Sequence, residues 1–80
     1  MSDSEILDLL TGILRDLLEN PSIVLTPATT RADVPGWDSF AYVNFIVAVE
    51  SQFGVRFRIT DVESFQTVGD VIEGIKALKG

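Results

Sequence analysis

The sequence predicts an all-α fold: a small four-helix bundle of three main helices plus one short helix, with a long loop between helices 1 and 2. Three observations carry this reading. Apolar residues recur at helical spacing in three separate stretches of the 80-residue chain. Residues that start and stop helices bound those stretches. Only one short segment alternates as a strand does, and nothing else in the chain could pair with it.

Helix 1 opens on Ser2-Asp3-Ser4-Glu5, the form of a capping box with Ser2 as cap and Glu5 three residues on. Ile6, Leu7, Leu10, Ile13, Leu14, Leu17 and Leu18 then make one stripe of a 3.6-residue helix. Leu9 falls off the stripe and is expected to be exposed. Gly12 weakens the centre by about 1 kcal/mol relative to alanine, which a stripe of this length absorbs. Asn20-Pro21 is the stop, because proline disfavours the helical conformation in the residue before it.

From Asn20 to Trp37 no period holds. Pro21, Pro27 and Pro35 punctuate the segment, and Thr26, Thr29, Thr30 and Asp33 supply turn chemistry. So long a connection is uncommon in a small domain unless it is functional or held down. Ile23, Val24, Leu25, Val34 and Trp37 are the expected anchors. The loop should cross the core and deliver Ser39 to the surface.

Helix 2 runs from Ser39 to Phe53 and stops at Gly54, which suits the left-handed cap. At about 100° per residue, Tyr42, Phe45, Ile46, Val49 and Phe53 fall in one arc that can face a core. Phe40, Val43 and Val47 fall in another, with Asn44 and Ser51 beside them and Glu50 at its edge. This second arc is apolar surface beyond what one core contact needs, and a polar-rimmed apolar patch marks a partner surface. Val55-Arg56-Phe57-Arg58-Ile59 is expected as an extended loop with Val55, Phe57 and Ile59 turned inward. Thr60 to Phe65 makes a short helical turn with Val62 and Phe65 inward. The last helix takes Thr67 as cap, with Asp70 three residues later, and Val68, Val71, Ile72, Ile75 and Leu78 as its stripe. Lys76 and Lys79 suit the negative pole of its dipole.

Composition narrows the function. Eighty residues make a single domain, 1–80. Twelve acids against six bases argue against nucleic acid and toward protein partners. No apolar run is long enough to span a bilayer, and the acidic N-terminus does not resemble a signal peptide, so a cytoplasmic protein with no membrane partner is expected. The separate expectation for its assembly is a monomer. With no histidine and no cysteine, a Ser–His–Asp triad, a Cys–His pair and an ordinary zinc site are all unavailable. No metal site and no enzyme activity are expected. What stands out is Asp38-Ser39 after Pro35-Gly36-Trp37. Ser39 would sit on the first turn of helix 2, pointing outward, where unpaired N–H groups and the helix dipole favour an attached anion. It is placed to carry a phosphate-linked group.

These residues resemble the acyl carrier protein family. Asp38-Ser39-Phe40 is similar to the family's Asp-Ser-Leu, an apolar helix ending in Phe53-Gly54 follows, and the spacing through Phe57, Val62, Phe65 and Thr67-Val68 to Ile75 also fits. The resemblance covers nearly the whole chain. It implies that Ser39 receives 4′-phosphopantetheine from coenzyme A through a magnesium-dependent phosphopantetheinyl transferase, with Asp38 positioning the serine. The arm's thiol would carry acyl groups as thioesters to an acyl-activating ligase, a ketosynthase or an acyltransferase. The resemblance also makes helix 2 the recognition surface, with Phe40, Val43, Asn44 and Val47 as interface residues. A cargo folding back between the helices would meet Phe45, Ile46 and Val49. The family's fatty-acid carriers have an acid-rich second helix, whereas this one carries only Glu50 after Asp38, with Arg56 and Arg58 just beyond. A specialised lipid or polyketide-type pathway is the expectation. Two alternatives remain: a peptidyl or aminoacyl carrier, and a helical adaptor that binds protein through Phe40 to Val47 with no prosthetic group.

Overall fold

A computed structural model describes residues 1–79. They form four α-helices and no strand: α1 (Asp3–Leu18), α2 (Ser39–Phe53), α3 (Ile59–Ser64) and α4 (Val68–Lys79). One unforeseen 3₁₀ turn, Arg31–Asp33, lies in the long connection. The expected all-α bundle of three main helices and one short one is the observed architecture, with α1 packed on both α2 and α4.

The α1 cap is reciprocal, as its sequence implies. Glu5 N–H donates to Ser2 Oγ at 3.2 Å and Ser2 N–H to Glu5 Oε1 at 2.8 Å. Ile6, Leu10 and Leu14 bury fully, one per turn. Two expectations fail at the margins of this stripe. Leu9 packs half-buried against the core, while Leu17 lies at the exposed edge. Leu17 shares the direction of the buried Ile6 and Leu10 but sits in the last turn of α1, so its exposure is an end effect. The helix stops one residue earlier than Asn20-Pro21 implies: Glu19 turns left-handed, φ 52°, and Asn20 N–H returns to the Arg15 carbonyl at 2.9 Å.

The long connection is held by Ile23, Leu25, Val34 and Trp37, all buried. Val24, expected among these anchors, is 71 % exposed. In extended chain, alternate side chains face opposite ways, so Ile23 and Leu25 turn in and Val24 must turn out. The same geometry corrects Ile59. It begins α3 instead of continuing the alternation of Val55 and Phe57, and it is 78 % exposed. On α4, Leu78 is exposed in the last turn, beyond the four residues that bury, Val68, Val71, Ile72 and Ile75.

α2 has one side in the core and one in solvent. Ala41, Phe45, Ile46, Val49 and Phe53 are buried. Phe40, Val43 and Val47 on its other side are 78 %, 55 % and 58 % exposed. The two-arc division of this helix is therefore physical: one arc in the core, the other in solvent.

Candidate functional site

The chain reaches α2 through a sharp turn. Val34-Pro35-Gly36-Trp37 closes with Trp37 N–H donating to the Val34 carbonyl at 3.2 Å, and Gly36 has φ 86°. Proline followed by a positive-φ glycine is the signature of a type II turn. Trp37 then locks the exit. Its ring is buried and meets Phe45 edge-on, with centroids 5.1 Å apart and planes at 73°. Its indole N–H finds no partner among the described residues.

Asp38 is the N-cap of α2. Its Oδ1 accepts from Ala41 N–H at 2.8 Å, and its carbonyl accepts from Tyr42 N–H at 2.8 Å. That arrangement fixes the first turn and leaves Ser39 as its first residue, exposed to solvent. Among the described residues the amides of Ser39 and Phe40 meet no acceptor. An exposed hydroxyl beside two free N–H donors at the positive pole of a 15-residue helix fits a phosphodiester link.

One turn on, Tyr42 braces this end of the bundle. Its hydroxyl donates to the Val62 carbonyl on α3 at 2.6 Å, and the Arg31 guanidinium lies over its ring, 4.8 Å from the centroid. Burial pushes the phenol pKa above its ordinary value, with the Arg31 charge opposing.

Of the expected interface residues, Phe40, Val43 and Val47 line the solvent-facing side of α2, and Asn44 is half-buried beside them. Of the three residues expected along a cargo cleft, Phe45 and Val49 are wholly enclosed and Ile46 is nearly so. Only Ile46 of these three reaches the open groove between α2 and α3, about 390 Å³, which Val43, Val47, Glu50, Phe57, Ile59, Val62 and Glu63 also line. The far wall of that groove escaped sequence reasoning. Ile59 and Val62 looked like core in one dimension, and only the turn into α3 brings them opposite α2.

Glu50, the one acid within α2, makes a local bond. Its carboxylate accepts from Phe57 N–H at 2.8 Å, tying the end of α2 to the segment before α3. Arg56 and Arg58 are exposed and form no salt bridge among the described residues. Among the described residues no cluster of three or more acids could hold a metal ion, and no helix is long and apolar enough to cross a membrane.

Residues 8–75 match the family described as the phosphopantetheine attachment site. An acyl carrier protein of Acidothermus cellulolyticus is 33 % identical over 75 residues, spanning 94 % of this chain and 89 % of that protein. One from Lactobacillus acidophilus is 30 % identical over 80 residues and spans both chains completely. The solution NMR structure of a holo acyl carrier protein from Geobacter metallireducens superposes with a TM-score of 0.84 at 33 % identity, covering 91 % of this chain and 84 % of that one. With a bundle of the same shape and a match across most of its length, this chain belongs to the acyl carrier protein family, non-catalytic carriers built around a phosphopantetheine attachment site.

Proposed function

We propose that Ser39 is the residue to which 4′-phosphopantetheine is attached, and that the arm carries acyl groups as thioesters between partner enzymes. The observation that carries this reading is the position of Ser39: first in α2, exposed, directly after the Asp38 cap, and within the family match. Asp38 serves by holding the first turn, so that the hydroxyl and the free amides present together. The chain's own residues supply no further chemistry. The thiol comes with the arm, in a protein that has no cysteine.

A phosphopantetheinyl transferase would load the arm. An acyl-activating ligase, ketosynthase or acyltransferase would then dock on Phe40, Val43, Asn44 and Val47. These four residues carry no charge, and the one acid within α2, Glu50, accepts from Phe57 N–H beside them. Charge on a docking face steers encounter and selects partners. A face built from Phe40, Val43, Asn44 and Val47, all uncharged, suits a dedicated lipid or polyketide-type pathway better than basic-patch enzymes.

The decisive measurement is intact mass before and after incubation with coenzyme A, magnesium and a broad-specificity phosphopantetheinyl transferase. Wild type should gain one phosphopantetheine and Ser39→Ala none. No gain on wild type, with a transferase active on another carrier, would overturn the assignment. Offered to a reconstituted fatty-acid synthase, the holo protein should substitute poorly for the housekeeping carrier; efficient substitution would sink the specialised pathway.

A further inference from the structure

Behind the outer face of α2, two aromatic rings fill the space between α3 and α4. Phe57 and Phe65 meet edge to face, with centroids 5.2 Å apart and planes at 84°. Both lie against Gly74 of α4. A Cβ at that position would stand 2.8 Å from the Phe65 ring and 3.2 Å from the Phe57 ring, so the rings take the space a side chain there would need. Deeper still, Phe45 and Val49 are wholly enclosed. Interiors packed to crystal-like density admit no further chain without displacing atoms.

The groove is what remains open. At about 100° per residue, Val43, Ile46 and Glu50 lie within about 40° of the direction of Ser39 on α2, so the groove begins one turn below the serine on its own face. Phe57 belongs to both features. It is one wall of the groove and one half of the ring pair that closes the interior. Glu50 and Glu63 also line the groove, and a hydrocarbon running past them would strip water from carboxylates, which is unfavourable.

We propose that the Phe57–Phe65 pair seated on Gly74 limits how deeply cargo enters, so that this carrier shelters only short acyl chains, in the α2–α3 groove. The inference rests on the carrier reading above. Each methylene taken out of water adds to sheltering. Methylenes beyond the groove floor stay in solvent and add nothing. Phe57 is then the residue that sets cargo length.

The test uses the holo protein loaded at Ser39 with butanoyl, octanoyl or dodecanoyl groups, each confirmed by mass, and reads the rate of thioester cleavage by hydroxylamine. In wild type, octanoyl and dodecanoyl thioesters should cleave within about twofold of each other, because neither gains shelter past the groove. In Phe57→Ala, which opens the floor, the octanoyl thioester should cleave about tenfold more slowly than in wild type, equivalent to burying about two more methylenes. Steadily increasing protection with chain length in wild type would overturn the proposal, whether or not the variant folds. So would an unchanged octanoyl rate in folded Phe57→Ala, and Phe65→Leu gives a second opening of the same floor. Failure to load any group onto Ser39 would instead show as an unchanged mass, and would remove the carrier reading together with this inference.

Discussion

Tyr42 shows how much one side chain on α2 can hold. Its ring belongs to the buried arc, which periodicity alone reveals. Its hydroxyl crosses to the Val62 carbonyl, twenty residues away, and no local pattern indicates that. A neutral hydroxyl–carbonyl bond contributes about 1 kcal/mol, and Tyr42→Phe should lose about that much in denaturant unfolding while loosening α3. The phenol pKa is raised in the folded protein by burial. Its contribution is therefore complete below the ordinary tyrosine value and fades as pH rises through the raised one. The stability gap between wild type and Tyr42→Phe should narrow in strong alkali; a gap that widens there would contradict the assignment. Glu50 makes the same point with opposite consequences. In sequence it is a surface acid at the edge of an apolar arc, but in space it is a bonded acceptor for Phe57 N–H.

At the scale of elements, caps were the most legible signals. The Ser2–Glu5 box and the Thr67–Asp70 start are both readable in four residues, because a cap is local chemistry. The structure adds detail at α4. Asp70 Oδ2 accepts from Gln66 N–H at 2.9 Å and Thr67 N–H at 3.2 Å, while Asp70 N–H donates to Thr67 Oγ1 at 3.2 Å. The Gln66 and Thr67 backbone bonds hold the Asp70 carboxyl below its ordinary pKa. A depressed folded pKa means stability that is present above the ordinary aspartate value and lost as pH falls through the lowered one. Asp70→Asn should thus lower Tm at neutral pH, and the difference from wild type should shrink in acid. An equal difference at every pH would assign the effect to packing instead. The helix end at Glu19 was less legible. Proline at 21 marks the region, but the left-handed residue that ends α1 is set by how the Arg15 carbonyl is satisfied.

At the scale of the whole molecule, the long connection is stitched to two helices. Arg15 Nε donates to the Ile23 carbonyl at 2.6 Å, Val68 N–H to Thr29 O at 2.9 Å, and Gly69 N–H to Pro27 O at 2.8 Å. The loop carbonyls thereby satisfy the first amides of α4, which would otherwise lack partners. Gly69 makes this approach possible, since a Cβ there would lie 2.9 Å from Pro27 O, a backbone atom that cannot swing aside. Gly69→Ala should destabilise the protein by about 1–3 kcal/mol and speed amide exchange through the loop that leads to Ser39. Unchanged exchange in residues 26–30 would show that the stitch is dispensable. By itself the sequence determined the helices, their caps, the two faces of α2 and the serine at its tip, because periodicity and capping act within a few residues. Tertiary structure alone decided which loop side chains anchor, that Val24 and Ile59 face water, that Glu50 is engaged, and that Phe57 and Phe65 close the interior over Gly74. Those outcomes depend on chain segments that meet only after the helices pack, and no local spacing encodes such meetings.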